Sequence, residues 1–174
     1  MRRLAFVFAA CAALAVPAVA LAVHEDGDDG SLVVQNGAAA WNTPGSPDVP
    51  VVALKITGSV IGHVEGYGRI IIDAGSDTDA VYQVIGAGRP TDSPASDTAS
   101  VWTAADFTFR AVGGKFTILI YGSAVNLVAA GKGSVRLAGL PDMPKGDGVY
   151  SLNDANFKSL PGIQTARLTI GSGS

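Results

Sequence analysis

From Ser31 onward the chain is a succession of short runs rich in Val, Ile, Phe and Tyr, most of them cut by glycine. Short runs of β-branched and aromatic residues that end at glycine or proline are typical of strands. The chain contains 22 Gly and 9 Pro, and its apolar residues follow no amphipathic helical spacing. These features together predict an all-β fold.

We expect one sandwich or barrel-like domain of about ten short antiparallel strands over residues 31–170. Two proline-containing stretches, 36–48 and 86–100, are predicted loops. Apolar residues alternate before and after Gly113-Gly114, which predicts a hairpin turn at this glycine pair. The predicted strands lie near residues 31–35, 50–57, 59–65, 68–73, 80–85, 106–112, 115–121, 124–128, 133–138, 148–152 and 165–170.

Three segments recur in the same order and predict a domain built from two similar halves, roughly residues 50–86 and 115–153. Coincidental β periodicity is the alternative explanation. The alignment sets His63 against Leu127 and predicts the same environment for both. The matched segments are Leu54–Ser59 with Ile118–Ser123, Val64–Ile72 with Val128–Leu137, and Val81–Val84 with Val149–Leu152.

The first 22 residues have the three parts of a cleavable signal peptide. Arg2 and Arg3 precede an apolar run that ends at Ala20-Leu21-Ala22, a pattern that suits signal peptidase. A retained membrane anchor is the alternative, but Pro17 would interrupt its helix. The sequence therefore predicts a secreted or extracytoplasmic domain without a transmembrane anchor. Residues 23–30 read as an acidic flexible tail and residues 171–174 as a flexible C-terminus.

Removal of residues 1–22 would take away Cys11 and two arginines. The remaining 152 residues then hold 10 Lys and Arg against 15 Asp and Glu, a formal charge of −5. Without cysteine the domain cannot use disulfides or thiolate metal sites. Mild acidity with few basic clusters argues against nucleic acid as a partner. We expect no cofactor, and a cell-envelope component or another protein as partner.

The mature chain resembles a group of uncharacterised secreted bacterial proteins over most of residues 29–162. The resemblance implies an all-β secreted protein and carries no activity or site residue. The residues that carry it are Asp29–Gly37, Gly58–Gly62, Phe107–Phe116, Val128–Gly133 and Gly148–Asn153.

Few residues qualify as a reactive centre. His63 is the one imidazole outside the predicted tail, and an ordinary strand histidine is the alternative to a catalytic base. Asp73, Asp77 and Asp79 surround a predicted turn, where they are candidate calcium ligands or ordinary turn residues. The candidates for a ligand site are two aromatic residues, Trp102 and Tyr82.

These observations favour a non-enzymatic β-domain with a structural or interaction role in the cell envelope or extracellular space. A small-ligand or carbohydrate-binding module is the alternative, in which the 86–100 loop and Trp102 would shape the site. An exported hydrolase comes third and would need His63 or paired carboxylates. Exposure of Trp102 and Tyr82 in a concave groove would favour the binding module.

The predicted cleavage site can be tested directly. N-terminal sequencing of the exported protein should find Val23, or Leu21, as the first residue, since both follow small residues at the positions that signal peptidase reads. Exported protein that begins at Met1 would contradict the signal-peptide prediction.

Overall fold

Nine strands form the fold in a computed structural model of the chain, which describes residues 28–42, 48–93, 96–140, 145–162 and 165–171. The predicted signal peptide, residues 23–27 of the predicted tail and residues 172–174 lie outside these ranges. No helix within them is long and apolar enough to cross a membrane. The strands are β1 (Gly30–Gly37), β2 (Val52–Asp73), β3 (Val81–Ile85), β4 (Thr91–Ser93), β5 (Ser96–Tyr121), β6 (Val125–Leu137), β7 (Lys145–Leu152), β8 (Lys158–Pro161) and β9 (Ala166–Ile170).

The strands join in a single antiparallel sheet with the order β3-β5-β2-β6-β1-β7-β8. In addition, β4 pairs with β5, and β9 pairs with β6. In the described part of the chain the sheet is an open path with β3 and β8 at its ends. The predicted all-β, antiparallel class is therefore confirmed.

Two strands are far longer than the sequence predicted, because β2 has 22 residues and β5 has 26. Successive segments of each long strand pair with different segments of the other. Residues 52–58 of β2 pair with 114–120 of β5, residues 60–64 with 107–111, and residues 67–73 with 99–105. Residues 69–73 also pair with 117–121 on their other side. The long strands thus fold the sheet back on itself and give a two-layer sandwich.

The two layers share the long strands. The first layer contains β9, β4, the later half of β6, both ends of β2 and both ends of β5. The second layer contains β8, β7, β1, β3, the first half of β6 and the middle parts of β2 and β5. Strands that bend from one layer into the next are the usual corners of an orthogonally packed sandwich.

The predicted hairpin at Gly113-Gly114 is wrong. Strand β5 continues through both glycines, with Gly114 opposite Gly58 and Val112 opposite Val81. The glycines allow a bend that carries β5 from the second layer into the first. The separate strands predicted at 50–57, 59–65 and 68–73 are likewise one strand, β2. Glycine permits a turn and a bend equally well, so sequence alone did not distinguish them.

Strands β2 and β6 change layers where Gly58 lies directly opposite Gly131. Both residues have positive φ, 147° and 139°. A Cβ at Gly58 would overlap the carbonyl oxygen of Ala130, and a Cβ at Gly131 would overlap that of Thr57. Because real Cβ atoms cannot approach backbone this closely, only glycine allows the two paired strands to bend together here.

The core lies between the layers and holds the even-numbered apolar residues of β2, including Leu54, Val64 and Ile72. The alternation predicted for β5 holds on both sides of its bend, since Phe109 and Ile120 are both buried. The bend itself contains a β-bulge, because the three steps along β5 from Ala111 to Gly114 span only two along β2 from Val60 to Gly58. The buried positions of β5 therefore change from odd numbers before the bend to even numbers after it. The stability of the domain therefore rests on packed Val, Ile, Leu and Phe side chains.

Truncation of these side chains should be costly because each leaves a cavity in a packed core. We expect Phe109→Ala to lower the free energy of unfolding by about 3–5 kcal/mol and Ile120→Ala by about 2–5 kcal/mol. Urea unfolding measures both losses. Thr108→Ala, at the exposed neighbour of Phe109, is the control and should cost about 1 kcal/mol or less. Equal losses at 108 and 109 would contradict the observed orientation.

Candidate functional site: the basic face of the first layer

The outer surface of the first layer concentrates positive charge, and we call it the basic face. Its cationic residues come from four strands and make up half of the ten Lys and Arg residues that follow residue 22. Two shallow, open depressions lie on it and share Lys55, Thr117 and Ser134. All five cationic side chains line one or the other depression; they are Lys55, Lys115, Lys132, Arg136 and Arg167.

Strand register brings the like charges together. Arg136 of β6 lies directly opposite Arg167 of β9. Thr57 has Lys115 opposite on one side and Lys132 opposite on the other. Residues directly opposite in a sheet have Cβ atoms about 4.5–5.5 Å apart, and like charges in such positions are destabilising. The direct opposition of Arg136 and Arg167 is therefore unfavourable for the stability of the isolated sheet.

Few carboxylates compensate this charge. Lys132 lies 3.6 Å from Asp28, an exposed pair. Within the described residues, no ion pair is formed by Lys55, Arg136 or Arg167. Exposed pairs such as Lys132–Asp28 contribute little because water and salt screen them. Around the smaller depression, Lys55, Arg136 and Arg167 thus have no carboxylate partner among the described residues.

The larger depression has two carboxylates at its rim, and both are engaged in turns. Asp73 accepts hydrogen bonds from the Thr98 hydroxyl at 2.7 Å, the Gly75 amide at 2.8 Å and the Ser96 hydroxyl at 3.1 Å. Asp77 accepts from the amides of Lys115 at 2.9 Å and Asp79 at 3.1 Å. The Thr98 bond, followed by the Gly75 bond, lowers the pKa of Asp73. The Lys115 amide has the same effect on the pKa of Asp77.

The three predicted calcium ligands do not converge. Asp73 and Asp77 direct their oxygens at backbone amides and hydroxyls, whereas Asp79 is exposed and offers its amide to Asp77. Across the described ranges, no three His, Cys, Asp or Glu residues are grouped so as to hold a metal ion. The geometry of the loop is that of consecutive Asx turns.

An aromatic cluster borders the basic face at the opposite end from Asp73. The rings of Trp41 and Tyr67 stack with centroids 5.3 Å apart. The Arg69 guanidinium lies 5.5 Å from the Trp41 ring and 5.5 Å from the Tyr121 ring, and 3.6 Å from Asp48. Desolvation by burial raises the pKa of Tyr121. The Tyr67 side chain is largely exposed, so the cluster offers an aromatic surface to a ligand.

The two aromatic residues predicted for a ligand site lie elsewhere. Trp102 is buried at 7% exposure, and Tyr82 packs edge-on against it with ring centroids 6.0 Å apart. Both belong to the contacts of the core, with Tyr82 at its margin. The exposed aromatic ring is instead that of Tyr67, which stacks on the half-buried Trp41.

His63 lies in the middle of β2, on the outer surface of the second layer. Its Nδ1 is 3.9 Å from the Glu65 carboxylate, and 43% of its side chain is exposed. Its cross-strand neighbours are Thr108 and Asn126. Leu127, by contrast, is buried at 3% and lies opposite Gly62. The prediction that His63 and Leu127 share one environment is therefore wrong, because the two side chains point to opposite faces.

Sequence reasoning missed the basic face because its members are far apart in the chain. The sequence does contain a local indication of the outward cations. Lys55 lies between the apolar residues Leu54 and Ile56, and Arg136 lies between Val135 and Leu137. That alternation places both cations on an outer surface. Which strands are neighbours depends on long-range pairing, and this pairing is what gathers the charges.

Comparisons with known proteins identify no relative from which a function could be inferred. No protein-family model matches the chain, and neither a curated protein nor a solved structure matches it significantly. The resemblance to secreted bacterial proteins stays a prediction.

The Asp73 turn predicts a specific response to pH. Removing the Thr98 hydroxyl by Thr98→Val should raise the pKa of Asp73 toward its ordinary value, because the strongest donor to the ionised form is lost. NMR titration of the Asp73 carboxyl carbon measures this shift. Thr103→Val, at an exposed residue of the same strand, is the control and should leave the titration unchanged.

The sign of the stability effect follows from linkage. A carboxyl whose pKa is lowered by folding adds stability above its unfolded pKa, and loses it as the pH falls through the folded pKa. Wild type should therefore exceed Thr98→Val in stability at neutral pH, and this advantage should shrink in acid. An advantage that grows on acidification would contradict the assigned role of Asp73.

Proposed function

We propose that the protein is an exported, non-enzymatic β-domain that binds an anionic partner of the cell envelope or extracellular space through the basic face. The observation that carries the proposal is the direct opposition of Arg136 and Arg167 beside Lys55, in a chain of net negative charge. Natural sheets normally separate like charges. Their retention on one open surface is explained by an anion that binds there.

The form of the face favours an extended ligand over a small one. The depressions are shallow and open, and they run across neighbouring strands. Small-molecule sites are usually concave and bury most of their ligand. Several cations spread over a flat surface suit a polyanion, such as an acidic polysaccharide, whose repeated charges contact them together.

A non-enzymatic role is supported by the surroundings of the titratable groups. The carboxylates at the larger depression are occupied by turn hydrogen bonds. His63 lies in the other layer, away from the basic face. A general base needs a nucleophile or substrate proton within hydrogen-bond reach. Among the described residues, the hydroxyls in reach of Asp73 are those of Thr98 and Ser96, and both serve to fix its turn.

A second candidate, a carbohydrate-binding module, is favoured by the aromatic cluster of Trp41, Tyr67 and Tyr121. Aromatic rings with a polar edge can cover the apolar face of a sugar while they hydrogen-bond to its hydroxyls. The cluster adjoins the basic face through Arg69 and Tyr121, which are cross-strand neighbours. An acidic glycan could therefore contact both surfaces.

We further infer that the domain arose from two copies of one half. Strand β1 pairs with β6 and β7, just as the middle of β5 pairs with β2 and β3. The close approach of Gly58 to Gly131 has a counterpart where Gly122, at φ 139°, meets Gly68. These parallels support the predicted duplication, although they shift the alignment of the glycine pairs.

Charge removal tests the proposed binding. We expect the protein to bind dextran sulfate or polygalacturonate in low salt and to release them as salt rises. Each exposed cation contributes about 0.2–1 kcal/mol, so Arg136→Gln with Arg167→Gln should weaken binding about two- to thirtyfold. Isothermal titration calorimetry at fixed salt measures the change.

Arg110→Gln, at an exposed residue of the second layer, is the matched control and should bind as wild type does. An equal loss with Arg110→Gln, or no binding of either polyanion, would contradict the proposal. Binding of neutral dextran that persists in high salt and is abolished by Tyr67→Ala would instead favour the carbohydrate module.

A further inference from the structure

Strand β3 has one free edge. It pairs with β5 on one side, and the described residues place no strand on its other side. Such an edge presents unpaired peptide N–H and C=O groups that can pair with another strand. Its sequence, Val-Tyr-Gln-Val-Ile, carries no charge, and Val81 and Ile85 are 56% and 58% exposed. Proteins usually protect an edge with charge or proline, and β3 has neither.

In the other half of the domain, a strand covers the edge that is equivalent to the free edge of β3. Strand β7 lies beside β1 as β3 lies beside β5, and the far edge of β7 is covered by β8. The strand that follows β3 in the chain, β4, pairs with β5 in the first layer instead. The position that β8 occupies beside β7 is thus open beside β3.

We propose that the free edge of β3 pairs antiparallel with β3 of a second copy of this chain, centred on Gln83. In that register Val81 lies opposite Ile85 of the second copy, and Tyr82 lies opposite Val84. Gln83 lies opposite itself on the twofold axis. The exposed apolar side chains would cover each other, and the two second layers would become one continuous sheet.

Charge at the ends of β3 favours this arrangement. Asp79 precedes the strand and Arg89 follows it. Antiparallel pairing brings the acidic start of one copy toward the basic end of the other, whereas parallel pairing would set like charges side by side. Because β3 itself is uncharged, its twofold axis has no repulsive pair. These features select a second copy as the occupant.

Cysteine cross-linking tests the predicted register. Protein expressed from the full-length sequence with Cys11→Ser would carry Gln83→Cys and be treated with a short bismaleimide. Residues directly opposite in a sheet have Cβ atoms about 4.5–5.5 Å apart, within reach of this reagent. We expect most of the Gln83→Cys chain in a covalent dimer on a denaturing gel. Gln35→Cys, an exposed glutamine on β1 of the same layer, should stay monomeric.

Analytical ultracentrifugation provides an independent test of association. Wild type should sediment with twice the mass of the monomer, and Val81→Lys with Ile85→Lys should reduce it to the monomer. Phe157→Lys, at another exposed apolar residue, is the control and should remain a dimer. Monomeric wild type, or equal cross-linking at residues 35 and 83, would overturn the proposal. Loss of polyanion binding by Arg136→Gln with Arg167→Gln leaves this result unaffected.

Discussion

The close approach of β2 and β6 at Gly58 and Gly131, where both strands bend, is the contact on which the sandwich depends. At this point two backbones pass so closely that neither residue can carry a Cβ. Both strands thereby turn from one layer into the other without breaking their pairing. A strand interrupted here would leave peptide groups unpaired at the centre of the fold, which costs free energy when they are buried. The bend preserves the hydrogen bonds and still closes the core.

The long bent strands also determine the composition of the outer surface. Because β2 and β5 each contribute to both layers, residues far apart in the chain become neighbours on one face. Lys55, Lys115 and Lys132 come from three strands and surround Thr57. Side-chain alternation then sends these lysines outward while Leu54, Ile56 and Phe116 fill the core. The same architecture therefore produces the apolar interior and the basic face.

Alternation was readable from the sequence because burial with a period of two is a local property of an extended chain. Phe109 and Ile120 were correctly placed in the core on that basis. The ends of the strands could not be predicted from the sequence, because a glycine inside a bent strand has the same local signature as a glycine in a turn. The burial of the tryptophans was not predictable either. Trp102 and Trp41 both lie among small and polar residues, and only the tertiary pairing buries the first and places the second beside Tyr67.

The two proposed surfaces belong to different layers, so one does not exclude the other. Pairing through β3 would join the second layers of two copies and leave both basic faces open to solvent. A flat face that binds by exposed charge is weak alone, because salt screens each contact. Two such faces on one dimer could engage the same polymer, and the second contact would then form at the high effective concentration set by the first. Dimerisation would thus convert a weak electrostatic surface into a firm attachment without any new side-chain contact to the partner.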